Sequence, residues 1–296
     1  MSREKQIYRV TLWGSVVNAL LIALKFAAGI IGNSAAMIAD AVHSASDFIT
    51  DIVVLAFVNV SNRPKDKSHD YGHGKYETLA TTIIGAALLV VALYILIGGV
   101  SKVVSWTGGG TLSMPGILAL WAALISILLK EGIFRYTIIW AKRLDSQALK
   151  ANAWHHRSDA LSSIASALGI GGAIIGGEGW AVLDPIASIL VGLVIAKVAI
   201  DLLRNGVGDL MEKSLPDDVE NEILEIAGSV PEVIRPHALR TRRIGNSYAI
   251  EMHILMDGSV SLYDAHSRAS EIERRLKNRY GADTHVAIHV EPLNQQ

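Results

Sequence analysis

The chain has 296 residues, a formal net charge of -1, 51% apolar residues, 19% charged residues and a mean hydropathy of +0.36, which excludes an ordinary soluble domain of this length. With no basic excess to neutralise phosphates, the composition argues against a nucleic-acid binder as well. There is no cysteine, so disulfides and thiolate metal sites are ruled out and any metal chemistry falls to His, Asp, Glu and backbone oxygens.

A bilayer core of about 30 Å asks for about 20 mostly apolar residues per helix. Six runs qualify: Val10 to Ile31, Ala35 to Val60, Leu79 to Val104, Pro115 to Trp140, Leu149 to Ile175 and Ala181 to Leu203. The opening "MSREKQIYRV" is charged, and the apolar run behind it is too long for a signal-peptide core, so the first run is expected to be a retained span. Arg3, Lys5 and Arg9 precede span one; Arg63, Lys65, Lys67 and Lys75 lie between spans two and three; Lys142, Arg143 and Lys150 lie between four and five. The loops on the other side hold only Lys102. The positive-inside rule then puts both termini in the cytoplasm of a multi-pass protein, with the inner (plasma) membrane as the expected location.

After about Gly208 the sequence becomes charged and no later run is long enough to span, so residues 1–208 are expected to form a six-helix transmembrane domain and 209–296 a cytosolic one. In the second part "PDD" starts a helix through Asn221 to Gly228, and "HALRTRRI" and "SYAIEMHILM" alternate as strands around Gly245-Asn246. Leu262 to Tyr280 is an amphipathic helix and "THVAIHV" a last strand. The fold class is therefore a membrane all-α domain followed by an α+β ferredoxin-like domain in the order αββαβ.

Span two carries "DAVHSASDFITD". At 100° per residue Asp40, His43, Ser44, Asp47 and Asp51 share one side of the helix, which must face the bundle interior. Span five repeats the device in "NAWHHRSDALSS", where His155 and Asp159 have the same i, i+4 spacing as His43 and Asp47. Two such pairs supply two nitrogens and two carboxylates, a tetrahedral set suited to a divalent transition metal. Even the lowest scales put a midplane Asp at about +2.5 kcal/mol, too much for two matching pairs to serve only as helix glue. Asp40, a turn before His43, is expected to orient it, and Asp51 and His156 are expected to play supporting or structural roles.

Two weaker constellations lie outside the spans. In the loop "NRPKDKSHDYGHGKYE", Asp66, His69 and His73 are spaced to fold round one ion with the help of Gly72 and Gly74; a solvated basic loop is the bland alternative. In the tail, Ala249, Glu251, His253 and Leu255 share one strand face, as do His285, Ala287, His289 and Glu291, opposite the apolar residues that build the core. His237 and His266 come near that polar face in the expected fold. The alternatives there are a cytosolic metal cluster and a plain solvent-facing surface.

Seven motifs in order, "IADAVHSASD", "HDYGHGKYE", "HHRSDA", "SLPDD", "HALRTR", "DAHS" and "HVEP", make the chain resemble the cation diffusion facilitators over nearly its full length. The resemblance implies a homodimeric exporter, not an enzyme, that exchanges cytosolic divalent metal for protons across the bilayer, with a metallochaperone-like tail that stabilises the dimer. It implies a transport site of His43, Asp47, His155 and Asp159, a loop site of Asp66, His69 and His73, and tail ligands drawn from His237, His253, His266, His289 and Glu291. It also implies a charge interlock between Lys75 and Glu212. The chain departs from the family pattern with His43 and Glu291 where Asp is found, and with Glu212 in place of Asp. The second imidazole favours Zn2+, while Fe2+, Mn2+, Co2+ and Cd2+ share the scaffold. The other classes weighed are a non-transporting metal sensor and a membrane metalloenzyme; no H-E-x-x-H or Walker A run is present.

Overall fold

The structure, a computed structural model, describes residues 3–61, 63, 65–144 and 146–293. The chain divides into two units, Met1–Ile52 with Ile84–Asp201, and Val53–Ile83 with Leu202–Gln296. Six long helices run through the first two-thirds of the sequence: α1 (Arg3–Ile31), α2 (Ala35–Ser61), α3 (Lys75–Thr107), α4 (Ile117–Arg143), α5 (Gln147–Gly176) and α6 (Leu183–Leu210). They match the six expected runs, but α1, α3 and α6 extend beyond them because helical backbone continues into polar flanks that a count of apolar residues does not see. Among the described residues five helices are long and apolar enough to cross a membrane. The helix outside that set is α2, which carries Asp40, Asp47 and Asp51.

In the first unit the usual size order of a soluble core is inverted. Alanines such as Ala36, Ala39, Ala92, Ala119, Ala123 and Ala173 are wholly buried, whereas Leu20, Tyr94, Leu128 and Leu168 point outward. That is how helices pack when the surrounding solvent is lipid: small residues let backbones approach, and bulky apolar ones face the hydrocarbon. Gly169 sits at a close approach of α5 to α6, since a Cβ there would lie 2.3 Å from that of Ala187. The start of α2 is fixed by Asp184 of α6, which accepts from the Ser34 hydroxyl and from the backbone N–H groups of Ala35 and Ala36.

The second unit holds the α+β domain in the expected order: α7 (Asp217–Gly228), β1 (Arg235–Ile244), β2 (Ser247–Asp257), α8 (Leu262–Tyr280) and β3 (His285–Leu293). The sheet runs β1-β2-β3, with β1 and β2 antiparallel and β2 and β3 parallel. Strand alternation sends Ile250, Met252, Ile254 and Met256 into a core shared with Ile223, Ala227, Ile272 and Leu276 of the helices. The other sheet face carries His253 opposite His237 on one side and His289 on the other. Three imidazoles on one rung are thus a product of register.

Candidate metal centres

Within the first unit, His43, Asp47 and Asp159 each present a donor atom within 4.8 Å of the others. His43 Nδ1 is 3.9 Å from Asp47 Oδ2. That same oxygen is buried and has no hydrogen-bond partner among the described residues. A buried carboxylate oxygen left in that condition is costly in any medium of low polarity. His155 stands beside the cluster, with Nδ1 3.8 Å from Asp159 Oδ1, but its side chain is 48% exposed and it is not one of the three converging donors. His156 is buried, with Nε2 unpartnered among the described residues. The Asp51 side chain lies outside the described residues.

Asp40 does not orient His43. It is wholly buried against Lys25 of α1 at 2.8 Å and accepts from Ser162 and Ser163 of α5. The i−3 position made Asp40 look like a partner for His43, but an ammonium within reach is a far stronger one for a buried carboxylate. A second buried ammonium, Lys130 of α4, stands 3.4 Å from Asp159 Oδ2. Both lysines also donate to Ser44, at 3.0 Å from Lys25 and 3.4 Å from Lys130. Sequence reasoning missed both, because one lysine in a long apolar run looks like a residue that reaches for the membrane surface. Their positions at 0% and 1% exposure rule that out.

Within the second unit the loop cluster is compact. Asp66 Oδ1 is 3.4 Å from His69 Nδ1, and Asp66 Oδ2 is 3.4 Å from His73 Nε2. The hydroxyl of Ser68, then its N–H and that of His69, hold the Asp66 carboxyl well below the usual range, at about 2. Lys75 pairs with Glu212, and Arg242, which the sequence reading did not single out, adds a second ion pair to Glu212 at 2.9 Å. Tyr71 lies between the Arg242 guanidinium, 5.3 Å from its ring, and the His285 ring at 5.1 Å.

The tail cluster is built on Glu291. Its Oε1 is 2.9 Å from His253 Nδ1 and its Oε2 is 3.2 Å from His237 Nε2. His289 is farther, at 3.8 Å. Partial burial pushes the Glu291 carboxyl up, but the His253 hydrogen bond and the nearby imidazoles outweigh it and leave the carboxyl below its ordinary value. His266, exposed on α8, joins none of the three clusters found among the described residues.

Fold and clusters together define an integral membrane protein whose helix bundle encloses imidazoles and carboxylates, continued by an α+β domain that carries more of them. Residues 12–211 match the cation efflux transmembrane domain, and residues 215–293 match the cytoplasmic domain of cation efflux proteins. The chain belongs to the cation efflux, or cation diffusion facilitator, family; it is a transporter and not an enzyme. It is 36% identical to the manganese efflux system protein MneP of Bacillus subtilis, over 99% of both chains. It is 31% identical to the magnetosome protein MamB of Magnetospira sp., over 94% of both. Identity with metal tolerance protein C1 of Arabidopsis thaliana is 33%, over 97% of this chain and 62% of that one. Among solved structures, the metal-bound C-terminal domain of the CzcD transporter from Thermotoga maritima is 38% identical, with 26% of this chain and 91% of that one covered and a TM-score of 0.25.

Proposed function

We propose that this chain exports a divalent transition metal from the cytosol in exchange for protons, and that the transported ion is held by His43, Asp47, His155 and Asp159. The observation that carries the reading is Asp47: its Oδ2 is buried without a hydrogen-bond partner among the described residues and lies 3.9 Å from His43 Nδ1, and its carboxylate converges with His43 and Asp159 to within 4.8 Å. A dication bound there satisfies that oxygen, and closing on the ion would bring in His155 as the fourth ligand. Coordination needs neutral imidazole and ionised carboxylate, so metal arriving from the cytosol displaces protons, and protons arriving from the far side displace metal. Alternating exposure of one ligand set to the two sides is then enough to couple the flows. Two imidazoles and two carboxylates favour Zn2+.

Residues 1–208 form the transporting part in this reading, and 209–296 a cytosolic domain through which two copies pair; both termini are cytoplasmic and the membrane is the plasma membrane. The loop cluster of Asp66, His69 and His73 and the tail cluster of His237, His253, His289 and Glu291, with His266 as an outlying donor, are proposed as cytosolic metal sites. Lys75 with Glu212 is proposed to keep the loop and the end of α6 together.

The test is metal flux in proteoliposomes with a pH gradient imposed in either direction. Zinc flux is expected to reverse with the gradient, and Asp47→Ala and Asp159→Ala are each expected to abolish it while the protein stays folded. Full transport by both variants would remove the central site. A second reading, manganese as the transported ion, is favoured by the name of the Bacillus relative. It predicts a lower half-saturation for Mn2+ than for Zn2+ in the same vesicles.

A further inference from the structure

The transport site has a charged neighbour that the exchange of metal for protons does not use. Lys130 is 1% exposed in the middle of α4, so its ammonium cannot reach a membrane surface and must be satisfied where it lies. Its polar partners among the described residues are Asp159 Oδ2 and the Ser44 hydroxyl, both at 3.4 Å. The other buried lysine provides a comparison. Lys25 sits 2.8 Å from Asp40 and donates to Ser44 and Ser163 at 3.0 and 2.9 Å, and Asp40 is in turn completed by Ser162 and Ser163. That pair is closed, and neither member belongs to the cluster of converging donors. The Lys130 pair is looser, it uses a carboxylate of that cluster, and its alternative partner is the residue next to His43.

We propose that Lys130 is a tethered competitor for the transport site: its ammonium occupies Asp159 when no metal is bound and withdraws toward Ser44 when a divalent ion arrives. The proposal rests on the reading of His43, Asp47 and Asp159 as metal ligands. An ion coordinated by Asp159 lies about 2 Å from a carboxylate oxygen, and an ammonium still paired with that carboxylate would stand only a few ångströms from it. Two cations so close in a medium of low dielectric repel strongly, so one must yield. A competitor carried on the protein never diffuses away, and it therefore weakens metal binding and helps to expel the ion at the release step. Lys130 is on this account a positioning residue that sets affinity against turnover. It moves no proton and does not touch the metal.

The test uses the full-length protein in a background where the loop and tail clusters are disabled by His73→Ala and His253→Ala, so that zinc binding reports the membrane site. Lys130→Gln is expected to bind zinc about tenfold more tightly or better, and to turn over more slowly at saturating zinc. Lys130→Arg keeps the tethered charge and is expected to stay within about threefold of the parent in both measures. A lysine that only braced the helices would give weaker binding or no change on removal. Unchanged or weaker zinc binding by folded Lys130→Gln overturns the proposal. If that variant does not fold, the zinc-loaded structure of the unaltered chain decides. Lys130 Nζ beyond about 4.5 Å from both Asp159 oxygens supports the proposal, and a contact kept within about 3.5 Å beside the bound ion overturns it. Asp47→Ala in the same background separates the two claims. Zinc binding untouched by that change removes the site itself, whereas zinc binding lost with Asp47→Ala but unaltered by Lys130→Gln removes only the role of Lys130.

Discussion

Asp184 at the start of α6 and Ser34 just before α2 are joined by a 2.5 Å hydrogen bond from the serine hydroxyl to Oδ1, and the same carboxylate accepts from Ala35 N at 2.7 Å and Ala36 N at 3.3 Å. The first N–H groups of a helix have no intrahelical acceptor, and inside a membrane protein water is not at hand to supply one. A carboxylate from a neighbouring helix therefore fixes where α2 begins, and with it the depth of His43 and Asp47. Asp184→Ala leaves several donors without a partner at about 1–3 kcal/mol each, and a clear fall in the thermal midpoint of the detergent-solubilised protein is expected. Asp184→Asn keeps one acceptor oxygen and should lose about half as much. Equal midpoints for the parent and Asp184→Ala would show that the contact does not hold α2.

Part of this architecture was legible in the sequence, and the line between what was and was not follows the range of the interactions. Apolar run length marks the helices because a bilayer demands it, and strand alternation puts His253 on the face away from Met252 because the pleat demands it. The i, i+4 spacing of His43 with Asp47 and of His155 with Asp159 is likewise a local fact about one helix. What the sequence does not display is which charge meets which across helices. Lys25 and Asp40 are 15 positions apart, a hydrogen bond from Lys25 to Ser163 spans 138 positions, and no periodicity connects them. Helical spacing accordingly pairs Asp40 with His43, whereas its partner, Lys25, is on another helix. Arg242 was unremarkable in a run of basic residues until the fold brought it onto Glu212.

His43 is the donor on which metal choice should turn. His43→Asp converts the proposed set of two nitrogens and two oxygens into one of one nitrogen and three oxygens, and carboxylate oxygens suit manganese whereas imidazole suits zinc. Zinc affinity is expected to fall on the order of tenfold while manganese affinity falls less or rises, so that the ratio of the two shifts toward manganese. Competition binding with both ions on the purified variant measures that ratio directly. An unchanged ratio would mean that selection is made elsewhere in the transport cycle.

Gly74 follows His73 in the loop cluster, and a Cβ added there would lie 2.7 Å from the carbonyl oxygen of Ile244 and 3.2 Å from the backbone nitrogen of Gly245. Those neighbours are backbone at the β1–β2 turn, where Gly245 has φ +58, so they have no flexible side chain with which to give way. Gly74→Ala must push the loop off the turn at a cost of about 2 kcal/mol or more. His73 moves with it, so zinc binding that depends on Asp66, His69 and His73 should weaken by at least about tenfold. Zinc binding measured with the loop and tail clusters both disabled by His73→Ala and His253→Ala is expected to be unaltered by Gly74→Ala. A variant that binds zinc at the loop as the parent does would show that the close approach is not what shapes the cluster.

The acid limit of the tail domain has a local contribution that can be isolated at Glu222. Arg279 donates to its two carboxylate oxygens at 2.6 and 3.2 Å, and the Tyr280 hydroxyl donates to Oε2 at 2.8 Å, tying α7 to the end of α8. The Arg279 hydrogen bonds first, and that of Tyr280 second, hold the carboxyl below its ordinary value. A carboxyl depressed by folding binds its proton more readily in the unfolded chain, so its stabilising effect is present above the unfolded value of about 4.3 and is lost as pH falls through the lower folded value. Glu222→Gln removes that effect. The variant should melt below the parent at pH 7, by a small margin because the pair is exposed to solvent, and the two should converge as pH falls below about 4. Thermal unfolding of both proteins across that range provides the comparison. A gap that persisted undiminished into acid would mean that Glu222 acts through packing of its side chain and not through its charge.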